Sequence, residues 1–285
     1  MNVQKLEKKS GTRLKYQDTY KVVCDDPEKY IRAIQTFKYG NEVGSGLNEF
    51  VHVALGKLKK FNHQCVIKVH FTDSKFTDRE IKIMELLHNC PYVVKHICTY
   101  SCLDDTTRWM EALTKPQHTC GDSKSLDKLT FMIMDFIPNG DVVTFLKIAT
   151  NQQIKALFIQ CALAIMDMGI KYDVNQGDFN SGNVLITLGK PSTKKIQIGK
   201  NTYTFETHGV YPLFIDFGRG YVRKQKTCDI IDHITTQFSV FVNYIPFENV
   251  LKETLRNMVL TISRKTKPRF SHVFKPLCQS SSLDL

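Results

Sequence analysis

The strongest constraint on the fold is a change of hydrophobic period part-way along the chain. Up to about residue 137 the apolar segments are short and rich in β-branched and aromatic residues: VHVAL at 51–55, CVIKVHF at 65–71, YVVKHICTYSC near 92–102 and LTFMIMDFI near 129–137. Such runs read as strands, and the first two, separated by KLKKFNHQ, as an antiparallel hairpin. FTDREIKIMELLHNC interrupts them with helical spacing of Ile81, Met84 and Leu87, and Thr77 or Asp78 offers its N-cap. Beyond Pro138-Asn139-Gly140 the helical period dominates. DVVTFLKIA and NQQIKALFIQCALAIMDMG are helical, the second with Gly169 as its natural stop. NVLIT and PLFIDF read as short buried strands, and TTQFSVFVNY and FENVLKETLRNMVLTI as helices again.

The expected fold class is therefore α+β, with a β-rich part over 38–137 and a mainly helical part over 138–265. Residues 1–37 read as an N-terminal extension, in which Asp26-Pro27 opens a helix through Tyr30, Ile31, Ile34 and Phe37. Residues 103–128 read as a loop or partial hairpin, and 266–285 as an irregular tail.

A length of 285 residues suits one two-lobed domain or two small ones. No stretch approaches ~18 uninterrupted apolar residues, so no membrane span is expected. MNVQKLEKKSGTR lacks the apolar core of a secretory signal, so the nine scattered cysteines read as reduced thiols of an intracellular protein. Cys90, Cys98 and Cys102 lie near His88 and His96, but their spacings fit no common zinc pattern. The net charge of +11 favours polyanionic partners: nucleotide phosphates, acidic protein or nucleic acid. The positive residues are spread from Lys5 to Lys275, so they form no dedicated nucleic-acid arm, though a folded basic patch stays open.

Four motifs carry chemistry, and their order is more informative than any one alone. VGSGLNEFV, residues 43–51, sets Gly44 and Gly46 between two strands, where a tight turn can present backbone N–H groups to phosphates. The same glycines also suit a plain turn. Lys68 stands in the middle of the apolar strand CVIKVHF, where burial demands a partner and an outward-facing position does not. Glu80 and Glu85 on the following helix are both candidates. QGDFNSGNVLI, 176–186, places Asp178 and Asn183 in a polar loop between a long helix and a buried strand. A carboxylate and a carboxamide so placed suit a base and a metal ligand, or an Asx-rich turn. FIDFGRG, 214–220, puts Asp216 at the end of an apolar strand, a fitting position for a Mg²⁺ ligand.

This ordered set, from about Tyr39 to Gly220, resembles the protein-kinase signature. GSGLNEFV resembles the glycine-rich loop, with Gly44, Ser45, Gly46 and Val51 at the nucleotide. VIKV resembles the strand that carries the ATP lysine, and REIKIMELLHNCPYVV the helix whose Glu80, rather than Glu85, orients Lys68. FMIMDFIPNGDVVTFL is similar to the strand entering the hinge. It implies Met134 as gatekeeper, Asp135 to Ile137 as the adenine-binding segment, and Asp141 as a ribose contact. GDFNSGN and DFG resemble the catalytic and metal-binding loops. The resemblance implies ATP as cosubstrate and Mg²⁺, or Mn²⁺ in its place, on Asn183 and Asp216. It also implies that Asp178 accepts or orients the acceptor hydroxyl. The implied fold is bilobal, with a β-rich N-lobe and a mainly helical, shortened C-lobe.

Several positions depart from the family. Gln176-Gly177-Asp178 replaces His-Arg-Asp, which removes the arginine that clamps a phosphorylated activation loop and implies activity without such phosphorylation. Asn180 replaces the lysine that helps neutralise the γ-phosphate. Its amide can still donate a hydrogen bond but carries no charge. The interval from Asn183 to Asp216 is long for the family, and the alternation around Gly199-Lys200-Asn201 and His208-Gly209 reads as an extra hairpin. A similar insert marks the divergent serine/threonine kinases of nucleocytoplasmic large DNA viruses, which this chain most resembles. That resemblance implies a location in host cytoplasm or viral factory, or packaging in the virion. No Ala-Pro-Glu follows, and Asp229 or Asp232 stands where a buried aspartate would tie the next helix to the catalytic loop, or where a helix would be capped. RGYVRKQKTC after the metal-binding loop is basic and suits an acidic acceptor or nucleic acid.

The expected function is thus an ATP-dependent phosphotransferase acting on a protein hydroxyl. Gly-Asp-x-x-x-Gly-Asn also resembles the catalytic loop of aminoglycoside and choline kinases, which act on small molecules. A kinase-fold binding scaffold is the third reading. Such a scaffold has no need of Lys68, Glu80, Asp178, Asn183 and Asp216 together.

Overall fold

The computed structural model describes residues 38–39, 51–58, 63–70, 75–104, 127–138, 140–178, 180–198, 201–224, 226–246, 250–265 and 273. The chain is α+β, and its Cα atoms group into two compact units. The first comprises Met1–Glu85 and Val94–Phe136, the second Leu86–Val93 and Ile137–Leu285. The helix read over 28–37, the residues of the glycine turn, most of 103–128 and nearly all of the tail lie outside the described residues.

The first unit is an antiparallel sheet of strands β1 (Lys38–Tyr39), β2 (Val51–Leu58), β3 (His63–His70), β4 (His96–Asp104) and β5 (Asp127–Asp135), in the order β1-β2-β3-β5-β4. β3 lies at its centre, with Cys65, Ile67 and Val69 buried at alternate positions and Lys68 and His70 buried on the opposite face. Alternate residues of a strand face opposite sides, so both faces of β3 are covered. The helix α1 (Lys75–Leu86) buries Thr77, Glu80, Ile83 and Met84, a stripe at helical spacing. It starts ahead of the caps read from the sequence, so Thr77 and Asp78 lie in its first turn. Thr77 Oγ1 instead sits 3.2 Å from His70 Nδ1 on β3. β4 and β5 run over slightly different bounds from those expected, with a bulge in β4 between His96 and Cys98.

The second unit is built round α3 (Asn151–Lys171), which follows the short α2 (Val142–Leu146). Thr150 and Gln153 form a reciprocal capping box at its start. The helix does not stop at Gly169, which is buried within it; it runs on to Lys171 and is capped by Tyr172. By length and composition α3 could cross a membrane, yet 78% of its apolar window is buried inside the protein, which is the pattern of a core helix. Phe158 of α3 packs on Phe238 (4.5 Å between ring centroids) and Phe241 (6.0 Å) of α4 (Thr227–Tyr244). Truncating such a buried ring costs about 3–5 kcal/mol. The last described helix, α5 (Val250–Ser263), packs on α4.

Among the described residues six short strands belong to this unit, the first five being β6 (Val174–Asn175), β7 (Val184–Leu188), β8 (Thr193–Ile198), β9 (Asn201–Glu206) and β10 (Val210–Phe214). β8 pairs with β9 from Thr193↔Glu206 to Ile198↔Asn201, the extra hairpin read from the alternation. β7 pairs with β10, and Gln160 of α3 reaches β10 by donating from Nε2 to Val210 O at 2.7 Å. Leu86–Val93 joins this unit because Phe214 N donates to Tyr92 O at 2.7 Å beside a parallel bridge from Val93 to Phe214. A final two-residue strand, β11 (Tyr221–Val222), pairs with β6.

Candidate active site

Within the first unit, the register puts Lys68 opposite Val53 on one side and Met132 on the other. Its ammonium donates to both oxygens of Glu80, at 2.8 and 2.7 Å. Lys68 is 9% exposed and Glu80 2%. Glu85 is exposed, so the choice between the two glutamates is made by the helix stripe that buries Glu80 beside Ile83 and Met84. His70 Nε2 lies 3.7 Å from Glu80 Oε2, which adds a second titratable group to the pair.

Met134 is buried on β5 opposite Val66 and His96. Asp135, opposite Cys65, is half-buried, and its N–H donates to Lys95 O at 3.0 Å. Burial, and then the neighbouring Asp135 charge, push the Cys65 thiol up to about 12, so it stays protonated and unreactive. Val51 opens β2 opposite His70, whereas Gly44, Ser45 and Gly46 lie outside the described residues.

In the second unit, Ile137 is half-buried, and Asp141 caps α2 by accepting from Thr144 N at 2.8 Å. The loop 176–183 follows β6. Asn175 is buried: its Oδ1 accepts from Gly177 N at 2.7 Å, and its Nδ2 donates to Tyr221 Oη at 2.7 Å and faces the ring of His233. Gln176 Nε2 donates to Ile215 O at 2.6 Å, fastening this loop to the segment that carries Asp216. Asn183 Nδ2 donates to Asp178 O at 2.9 Å, while Asn183 O accepts from Ile215 N at 3.0 Å. Asn180 Oδ1 accepts from Gly182 N at 2.9 Å and so caps the 3₁₀ turn Ser181–Asn183. Asp216 takes a left-handed backbone with φ 59°, which aspartate tolerates better than most residues, and its Oδ1 lies 3.5 Å from Gly218 N.

The second unit thus brings Asp178, Asn183 and the Asp216 segment together through the side-chain amide and main-chain carbonyl of Asn183, while Lys68 and Glu80 are joined in the first. Of the two aspartates expected either to tie the following helix to the loop or to cap it, one takes the capping position. Asp232 is exposed, and Asp229 Oδ2 lies 3.4 Å from Lys226 N at the start of α4, a capping position. His233 of α4 reaches Asn175, which leads into the loop. Sequence reasoning missed Asn175, Gln176 and His233 as supports of the loop. The available signal was weak: a polar Asn-Gln pair directly after a buried valine, where a strand leads into a Gly-containing loop.

No family model matches the chain, and no curated protein matches it.

Proposed function

We propose that this chain is an ATP-dependent phosphotransferase of protein-kinase-like architecture that moves the γ-phosphate of ATP to a protein hydroxyl. The observation that carries the reading is the buried, two-pronged ion pair of Lys68 and Glu80. Taking two charges out of water is costly, and apolar residues of similar volume serve stability as well or better. A lysine held in this way on a central strand suits the neutralisation of nucleotide phosphates. The ordered loops of the second unit support the same reading.

In this reading the first unit is the β-rich lobe and the second the shortened, mainly helical lobe. Lys68 neutralises the α/β-phosphates and Glu80 holds its direction. The adenine lies against Met134 and the segment Asp135 to Ile137, with Asp141 toward the ribose. Asp178 receives or orients the hydroxyl proton of the acceptor, and the Asn180 amide donates toward the γ-phosphate. Most of the rate gain comes from positioning and charge stabilisation.

Asn183 and Asp216 fit Mg²⁺, or Mn²⁺ in its place. Asn183 spends its Nδ2 on Asp178 O, which leaves its Oδ1 as a hard oxygen donor, and its main-chain O accepts from Ile215 N, the residue before Asp216. One carboxylate and one carboxamide suit a cation that keeps water and phosphate oxygens as its other ligands. Bound there, the cation would supply charge neutralisation at the transferring phosphate. The hairpin β8–β9 ahead of Asp216 supports a place among the divergent kinases of large DNA viruses.

The test is to incubate the full chain with labelled ATP and Mg²⁺, offering casein, a basic protein and a panel of amino-alcohols. Label is expected in protein. Label confined to amino-alcohols would replace this reading with the small-molecule one. No label in any acceptor, with no thermal shift under saturating Mg²⁺-ATP, would remove both.

A further inference from the structure

We infer that residues 219–224, with Lys226 just beyond them, form a docking segment that selects acceptors carrying acidic side chains beside the reactive hydroxyl. This rests on the phosphotransferase reading and names its substrate class. Residues 219–223 run antiparallel to 173–177, directly ahead of Asp178. Tyr221 pairs with Asn175 and Val222 with Val174, and Arg223 N donates to Asp173 O at 2.9 Å. The Arg219 carbonyl lies against Gly177, whose missing Cβ is what admits it. The segment is therefore held beside the acceptor end of the loop by its own backbone.

Arg219, Arg223, Lys224 and Lys226 are all exposed on this segment, and among the described residues none of them takes part in an ion pair. The carboxylates nearest in sequence meet backbone N–H groups, Asp216 that of Gly218 and Asp229 that of Lys226. Unspent positive charge next to the position where the acceptor hydroxyl enters is complementary to carboxylates flanking that hydroxyl. A nucleic acid fits less well. Single strands bind through stacking on open aromatic faces. The aromatic residue here, Tyr221, has the Arg223 guanidinium over its ring at 4.8 Å and its hydroxyl bonded to Asn175.

The experiment measures binding and phosphorylation of two labelled serine peptides by the full wild-type chain. One peptide carries aspartates on both sides of the serine, and the other carries asparagines at the same places. The acidic peptide is expected to bind about tenfold more tightly at low salt, the sum of several modest surface charge pairs. That advantage should shrink as salt rises and should reverse against a lysine-flanked peptide in the variant R219E/R223E/K224E/K226E. The milder R223Q/K224Q pair, with its melting temperature checked, should lose part of the advantage.

Equal binding of the acidic and asparagine peptides by the wild-type chain removes the docking segment, whether or not phosphate is transferred. Displacement of the acidic peptide by oligothymidylate at a lower concentration than by unlabelled acidic peptide also overturns it, in favour of nucleic acid. A binding preference without any phosphate transfer keeps the docking segment and removes the phosphotransferase reading instead.

Discussion

A Cβ atom at position 177 would lie 2.1 Å from the carbonyl oxygen of Arg219 and 2.7 Å from its carbonyl carbon. Gly177 also has φ +75°, a conformation that costs other L-residues about 1–2 kcal/mol. A glycine at position 177 is thus required by a backbone contact. Gly177→Ala should destabilise the second unit by ~2 kcal/mol or more, and Gly177→Arg by at least as much. Urea unfolding measures this. A loss below roughly 0.5 kcal/mol would mean the contact can be relieved without consequence.

Because backbone pairing and the Gly177 contact hold the segment after Asp216, no phosphate is needed to order it. Protein made in a kinase-free system should be active as isolated, and phosphatase treatment should leave its rate nearly unchanged. A strict requirement for a phosphate on Thr227, detected by mass spectrometry and by loss of activity in Thr227→Val, would contradict this.

The Lys68–Glu80 pair makes a stability prediction that does not depend on catalysis. Removing one partner leaves a buried charge uncompensated, at about 3–5 kcal/mol. Lys68→Met should fall at the lower end, because His70 Nε2 lies 3.7 Å from Glu80 Oε2 and leaves the carboxylate a polar neighbour. The double variant Lys68→Met/Glu80→Leu should be far more stable than the sum of the single losses implies. Additive losses in chemical denaturation would show that the two side chains are not energetically coupled.

Asp178 and Asp216 should separate by role. Asp178→Asn and Asp216→Asn should each lower phosphate transfer by at least ~100-fold. Asp178→Asn should keep its ATP affinity, whereas Asp216→Asn should weaken the Mg²⁺-dependent part of binding measured by calorimetry. Identical effects of the two on nucleotide affinity would put the roles on the wrong residues.

His233 gives the second unit an acid-sensitive point. Burial lowers its pKa from the ordinary 6.5; Asp229 and Asp232 pull it back up, and Arg223 lowers it further. The folded protein binds this proton less readily than the unfolded chain does, so the contribution is intact above about pH 6.5 and is lost as pH falls through the depressed folded value. The melting temperature should drop between pH 7 and pH 5, and less steeply in His233→Gln. Parallel pH profiles for the two proteins would assign the acid sensitivity elsewhere.

The period change along the chain determined the α+β class, the strands around Lys68, the long α3 and the extra hairpin β8–β9. These follow from side-chain spacing on one segment, which a sequence displays directly. The sequence also put Lys68, Glu80, Asp178, Asn183 and Asp216 in order, but it left Glu80 and Glu85 open until a resemblance chose between them. The structure makes that choice physically, because one helix face buries Glu80 and leaves Glu85 in water. The run of α3 past Gly169 was hidden because packing on both sides of a helix outweighs the modest cost of an internal glycine. The supports of the loop were hidden for another reason. Asn175 meets Tyr221 and His233, Gln176 meets Ile215, and Gly177 meets Arg219, each across a long stretch of intervening chain. Such contacts exist only once β6 and β11 pair, and hydrogen bonding and steric exclusion between distant segments have no period to read.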